Sequence, residues 1–309
     1  MEIINLNWPL DSNDLNNSKI VLAMGLFDGV HLGHQQVIKE AKALADKNNL
    51  PLAVLTYYPS PDIFFGDPDR KLITTNQEKV DRFNRLGVDY LYITNINQEF
   101  LNLKPQAFVD EFLIRLNPKI VAAGSDHTYG DKNLNADMQH LPEFADDRFE
   151  VVSVDLLKGT DGDKYASTKI REQLKNGEIE DVNQNLNYNF SISGEVVEGQ
   201  KKGRELGFPT INLKFDQDKL IPGDGVYVTI TQLNGALFES VTSIGTNPTF
   251  ENRRRTVETY ILDFDQEIYS ELVTIKFFDK IRDQIKFKNE DELIKKINAD
   301  VDFTKSYFS

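Results

Sequence analysis

The chain changes texture once, near residue 186, and that change constrains its fold more than any other feature. Before it, short apolar runs alternate with stretches of helical period: Ile20–Met24, Gln35–Asn48, Leu52–Tyr58, Gln77–Leu86, Tyr90–Ile93, Pro105–Leu116, Ile120–Ala123 and Phe149–Val154. Such alternation predicts an α/β domain, a parallel sheet with helices on both faces. After it come Phe190–Val197, Gly225–Leu233, Phe238–Ile244, Thr256–Phe264 and Leu272–Phe278, strand-like runs parted by Gly, Pro, Asn and Asp. These predict an all-β domain, a small antiparallel barrel or sandwich. A helix near Asp291–Ala299 closes the chain, with Asn289 and Glu292 at capping-box spacing. A further short helix at Ser167–Asn176 has a capping hydroxyl at Ser167 or Thr168 and Gly177 just past its end. The expected domains are 1–185 and 186–309.

The bulk numbers exclude several roles. A length of 309 residues suits about two domains. A net charge of −14 speaks against a nucleic-acid partner, whose phosphates need clustered Lys and Arg. No apolar run reaches the ~18 residues of a membrane span. The absence of cysteine excludes disulfides and thiolate metal sites and suits a reducing cytosol, so a cytoplasmic protein is expected. Small phosphorylated ligands remain open, since loop amides, helix N-termini and one or two basic side chains can hold them.

Two stretches carry chemistry. Gly25-Leu26-Phe27-Asp28-Gly29-Val30-His31-Leu32-Gly33-His34 follows the first strand and opens a helix. Gly29 and Gly33 let a phosphate approach the backbone, and the helix start offers unpaired amides. His31 and His34, three apart, share one face and can hydrogen-bond nucleotide phosphates and stabilise a departing pyrophosphate. A plain glycine turn, or half of a metal site, competes with this reading. The second stretch runs from Gly194 to Leu213. Gly199, Gly203 and Gly207 can fold amides around phosphates, beside the basic Lys201, Lys202 and Arg204. Thr210 and Asn212, if extended, point to one face and offer the oxygen ligands that Mg²⁺ prefers. The spacing is not that of a Walker A loop. Glu258, in an apolar strand pattern, can serve a hydroxyl nucleophile as general base, against the reading of an exposed strand carboxylate.

The ten-residue string Gly25–His34 resembles the G-x-F-D-G-x-H-x-G-H signature of the nucleotidylyltransferase domain in bacterial bifunctional riboflavin kinase/FAD synthetases. Ser167-Thr168-Lys169-Ile170-Arg171 is similar to that family's Ser-Thr-x-Ile-Arg element. The second half resembles its riboflavin kinase domain: G-x-V-x-x-G…G-R-x-L-G-F-P-T-x-N from Gly194, then Gly225-Val226-Tyr227, the Ile244–Phe250 turn and the Val257-Glu258 strand, in the family's order.

The resemblance implies a Rossmann-like nucleotidylyltransferase domain followed by a riboflavin-kinase-type barrel with a terminal helix. It implies riboflavin, FMN and ATP as substrates: riboflavin and Mg·ATP give FMN, and FMN with a second ATP gives FAD and pyrophosphate. His31 and His34 would then contact ATP phosphates within the turn of Gly25, Phe27, Asp28, Gly29 and Gly33, with Ser167, Thr168 and Arg171 on triphosphate oxygens. In the kinase half, Gly199, Lys202, Gly203 and Arg204 would cover phosphates, Thr210 and Asn212 would coordinate Mg²⁺–nucleotide, and Glu258 would take the ribityl 5′-hydroxyl proton. Ser60, Ser125 and His127 depart from the family pattern. They leave open a riboflavin kinase with an impaired or regulatory N-terminal domain; a non-catalytic flavin or nucleotide sensor is a further alternative, against which the intact Thr210, Asn212 and Glu258 argue.

Overall fold

The computed structural model of the chain describes residues 1–11, 18–64, 67, 69–159, 162–199, 202–246 and 255–309. They form two compact units, Met1–Ser167 and Thr168–Ser309.

In chain order the first unit holds β1 (Glu2–Asn7), β2 (Ile20–Met24), α1 (Leu32–Asn48), β3 (Leu52–Tyr58), α2 (Asn76–Arg85), β4 (Tyr90–Asn95), α3 (Gln98–Leu101), α4 (Pro105–Ala107), β5 (Pro118–Gly124), α5 (Leu141–Ala145) and β6 (Glu150–Val154). Its six strands make one sheet in the order β1-β4-β3-β2-β5-β6, every pair parallel. A parallel sheet is covered on both faces, so its inner strands are apolar throughout; all five residues of β2 are buried. Leu22, Met24, Leu55 and Tyr92 pack on one face, while Val21, Ala23 and Val54 meet Ile38, Ala41 and Phe83 on the other. The expected helix 105–116 is one helical run, continuing from α4 through a π-helical segment, Phe108–Leu113, and a 3₁₀ turn, Ile114–Leu116. β1 is an edge strand that the pattern did not announce, because only Ile4 and Leu6 turn inward among Glu2, Asn5 and Asn7.

The second unit holds α6 (Ser167–Asn176), which begins at the boundary, α7 (Ile179–Leu186), β7 (Ser191–Val197), α8 (Lys202–Glu205), β8 (Thr210–Phe215), β9 (Gly225–Leu233), β10 (Ala236–Thr246), β11 (Arg255–Ile261), β12 (Leu272–Arg282) and α9 (Glu290–Phe308). The strands close an antiparallel barrel in the order β10-β11-β8-β7-β12-β9. Residues 168–186 precede the change of texture yet pack with the barrel: Asn183 donates to Phe277 O at 2.9 Å and accepts from Phe190 N at 2.7 Å. α6 ends in a Schellman cap, with Glu178 N on Gln173 O and Gly177 N on Leu174 O. Buried hydroxyls of Thr229, Ser240, Thr242 and Thr259 bond one another within the barrel strands at 2.8–2.9 Å. α9 is fastened by Arg282, whose guanidinium meets the buried Asp300 carboxylate at 2.7–3.1 Å.

Candidate active sites

In the first unit the chain order reverses at β2, which has β3 on one side and β5 on the other. Ligands of open α/β sheets bind at the carboxyl ends of strands beside such a point. A cavity of about 420 Å³ lies there, walled by Met24 of β2, Tyr57 of β3, Gly124 of β5 and Val154 of β6. Gly25, Phe27, His31, Gly33, His34 and Ser167 also line it. A second cavity of about 910 Å³ shares Tyr57, Pro61 and Thr128 as walls and continues along Phe100, Leu103 and Tyr129.

The turn from β2 to α1 is strained: Phe27 has φ 51°, Val30 φ 40° and Gly29 φ 84°. Only Gly29 tolerates that region without cost; a β-branched residue such as Val30 does not. His31 is the N-cap of α1, and its Nδ1 accepts from the His34 amide at 3.3 Å. Its proton therefore belongs on Nε2. The His31 and His34 rings stack with centroids 3.6 Å apart and planes 18° apart. Burial lowers His31 to about 4, with the Asp126 charge opposing. His34 is held well below its usual value by burial and then by the charges of His31, Lys79 and His127. Both imidazoles are neutral hydrogen-bonding groups beside the open N-terminus of a 17-residue helix.

Asp28 and Gly29 serve differently from their neighbours. The buried Asp28 carboxylate accepts from the amides of Ile73 at 2.9 Å and Thr74 at 3.2 Å, and Gly29 N donates to Thr74 Oγ1 at 2.9 Å. They anchor the turn to the segment before α2. Ser167 Oγ donates to Asp28 O at 2.9 Å. Thr168 and the half-buried Arg171 follow on α6, in the second unit.

Sequence reasoning passed over three contributors here. Lys79 of α2 is 2% exposed and donates to Leu26 O at 3.1 Å; the same carbonyl accepts from Thr56 Oγ1 at 2.9 Å. Asp126 and Lys164, both on the cavity wall, pair at 2.5 Å. Lys79 had one available signal, its place four residues before the buried Phe83 on the same helical face.

In the second unit β8 is a full strand rather than part of a loop. Thr210 pairs Tyr260, and Asn212 pairs Glu258, across the β8–β11 ladder. Directly opposed residues share a face, so Thr210, Asn212, Glu258 and Tyr260 stand together. Burial raises the Glu258 carboxyl, against the Thr256 hydroxyl 3.3 Å away, which lowers it. A Cβ at Gly199 would fall on the Asn212 amide, so that glycine makes room for Asn212. A Cβ at Gly203 would meet Phe208 O. A cavity of about 290 Å³ opens beside Thr210 and is walled by Arg204, Pro209, Phe264 and Glu267. The exposed Arg204 pairs with Glu267 at 2.9 Å. Lys201, the Lys202 side chain and residues 247–250 of the expected turn lie outside the described residues.

The chain's two halves match two family models, FAD synthetase over residues 13–169 and riboflavin kinase over 186–308. A bifunctional riboflavin kinase/FMN adenylyltransferase of Listeria monocytogenes is 39% identical, over 100% of this chain and 99% of its own. The Bacillus subtilis protein of that name is 36% identical over the same shares. A solved structure described as a macrolide-efflux protein from Streptococcus pneumoniae is 31% identical, with a TM-score of 0.89 over 98% of this chain and 99% of that one.

Proposed function

This chain belongs to the bifunctional riboflavin kinase/FMN adenylyltransferase family, and on that premise we propose how its own residues carry the two reactions. Its activities are the phosphorylation of riboflavin to FMN and the adenylylation of FMN to FAD, both from ATP. Each half matches its own family model, so the kinase-only and sensor readings are set aside.

For adenylylation, ATP places its triphosphate at the start of α1, where His31 and His34 donate to phosphate oxygens. The flavin ring occupies the larger cavity, whose Phe100 and Tyr129 offer aromatic faces. The FMN phosphate attacks the α-phosphorus, and the bond to the β-phosphate breaks as pyrophosphate leaves. The nucleophile is already an anion, so no strong base is required, and the turn's task is neutralising charge that moves onto the leaving group. The observation that carries this reading is the pair of cavities sharing Tyr57, Pro61 and Thr128, with the stacked histidines lining the first.

For phosphorylation, Glu258 accepts the proton of the ribityl hydroxyl, which attacks the γ-phosphorus while ADP departs. A carboxyl raised by burial is a better acceptor than one in water. Thr210 and Asn212 would hold Mg²⁺: their side chains offer hard oxygens and share one strand face. Bound there, the cation would neutralise phosphate charge. No helix of the described residues is long and apolar enough to cross a membrane. On the likeness to bacterial enzymes of cofactor synthesis we assign the protein to the cytoplasm.

Chromatographic product analysis tests both halves: the protein is given ATP and Mg²⁺ with riboflavin, then with FMN. FAD is expected from both. FMN accumulating without FAD would overturn the assignment to the first unit.

A further inference from the structure

We propose that Lys79 is a positioning residue of adenylyl transfer: its buried ammonium holds the Leu26 carbonyl, so that the strained turn after β2 keeps His31 and His34 on the cavity wall. This rests on the role given above to the two histidines.

Burying an ammonium is costly unless it is paired and hydrogen-bonded. Here Lys79 is 2% exposed, on a helix whose other buried residue is Phe83. Its bond goes to Leu26 O at 3.1 Å, a carbonyl whose second partner is the Thr56 hydroxyl at 2.9 Å. Leu26 immediately precedes the positive-φ residues Phe27, Gly29 and Val30. Strain of that kind persists only where the surroundings over-determine it. The clamps converge from one side of the turn: Ile73 and Thr74 on Asp28 and Gly29, and Lys79 on Leu26. Burial lowers the Lys79 ammonium from its usual value, with the Asp28 charge opposing and favouring the charged form. That charge also acts on His34, which faces His31, His127 and Lys79, while Asp126 acts on His31 and His127. Lys79 thus bears on both the shape of the turn and the protonation of one of its imidazoles.

The experiment measures FAD formation from FMN against pH for Lys79→Met, Lys79→Arg, Thr56→Val and His34→Ala, with the riboflavin kinase rate of each as an internal control. Lys79→Met is expected to lose on the order of a hundredfold in kcat/KM, the scale of a misplaced catalytic group. Its acid limb moves to higher pH, because removing a nearby positive charge makes His34 easier to protonate. Lys79→Arg restores most of the rate and the native limb. Thr56→Val loses less than tenfold and leaves the limb in place. Rates within twofold of native for Lys79→Met overturn the proposal. So does a loss matched by lost hydrogen-exchange protection of α1 with an unmoved limb, which marks a merely structural lysine. If His34→Ala forms FAD normally, the histidine reading itself fails; if it does not while Lys79→Met does, only the role of Lys79 falls.

Discussion

Asn212 stands directly opposite Glu258 in the β8–β11 ladder, which puts a side-chain amide and a half-buried carboxylate on one face of the barrel. Glu258→Gln keeps the shape and removes the base. FMN formation should fall by 10²–10⁴-fold while riboflavin binding stays near native. The native rate should also decline as pH drops toward the Glu258 pKa, and burial sets that limb above the usual carboxylate range. Rate–pH profiles check both points; a glutamine variant with native turnover removes Glu258 from the mechanism.

Gly199 is bound to Asn212 by space. A methyl at Gly199 must push the Asn212 amide aside, so Gly199→Ala should raise the KM for Mg·ATP about tenfold or more in the kinase step. FAD formation from FMN should be untouched. An alanine variant with native kinase KM would show that the loop, and not Asn212, yields.

These two positions mark how far the sequence could be read. The alternating texture made the parallel sheet legible and the turn-parted strands an antiparallel barrel or sandwich, because both depend on local period and turn residues; the resemblance alone chose the barrel. β8 was harder: Thr210–Phe215 follows a glycine-rich loop, and only its ladder partners on β7 and β11 make it a strand. The histidine turn was legible as a ligand loop, but the inward carboxylate of Asp28 was not, since its partners Ile73 and Thr74 are 45 and 46 residues away. Lys79 lies in Asn76-Gln77-Glu78-Lys79, a polar string that looks like solvated helix surface. Tertiary contact buries it, and no local rule announces that.

His31 and His127 give the first unit an acid limit. Burial lowers both from 6.5 to about 4. Between those values the unfolded chain takes up protons that the folded one refuses, so stability present above pH 6.5 is lost as pH falls toward about 4. Hydrogen exchange of the α1 amides, read from pH 7 to 4.5, should show this loss. His34 is held low by burial as well, so His127→Phe removes one of three such imidazoles and should flatten the slope in part. An unchanged slope would place the acid sensitivity in carboxylates instead.

The second unit depends on a charge that water scarcely reaches. Asp300 is 2% exposed and receives Arg282 through both Nε and a terminal nitrogen. Removing one partner strands the other's charge, so Asp300→Ala should cost about 3 kcal/mol of barrel stability. Exposed pairs such as Arg204–Glu267 are worth at most about 1 kcal/mol. The same reasoning predicts that Arg282→Met together with Asp300→Leu recovers most of the loss, because two stranded charges become packed apolar surface. Urea unfolding of the native chain and of both variants measures this, with riboflavin kinase activity following the barrel and FAD formation from FMN following the first unit. A double variant as unstable as Asp300→Ala would mean that α9 is held by the geometry of the guanidinium fork and not by compensation of charge.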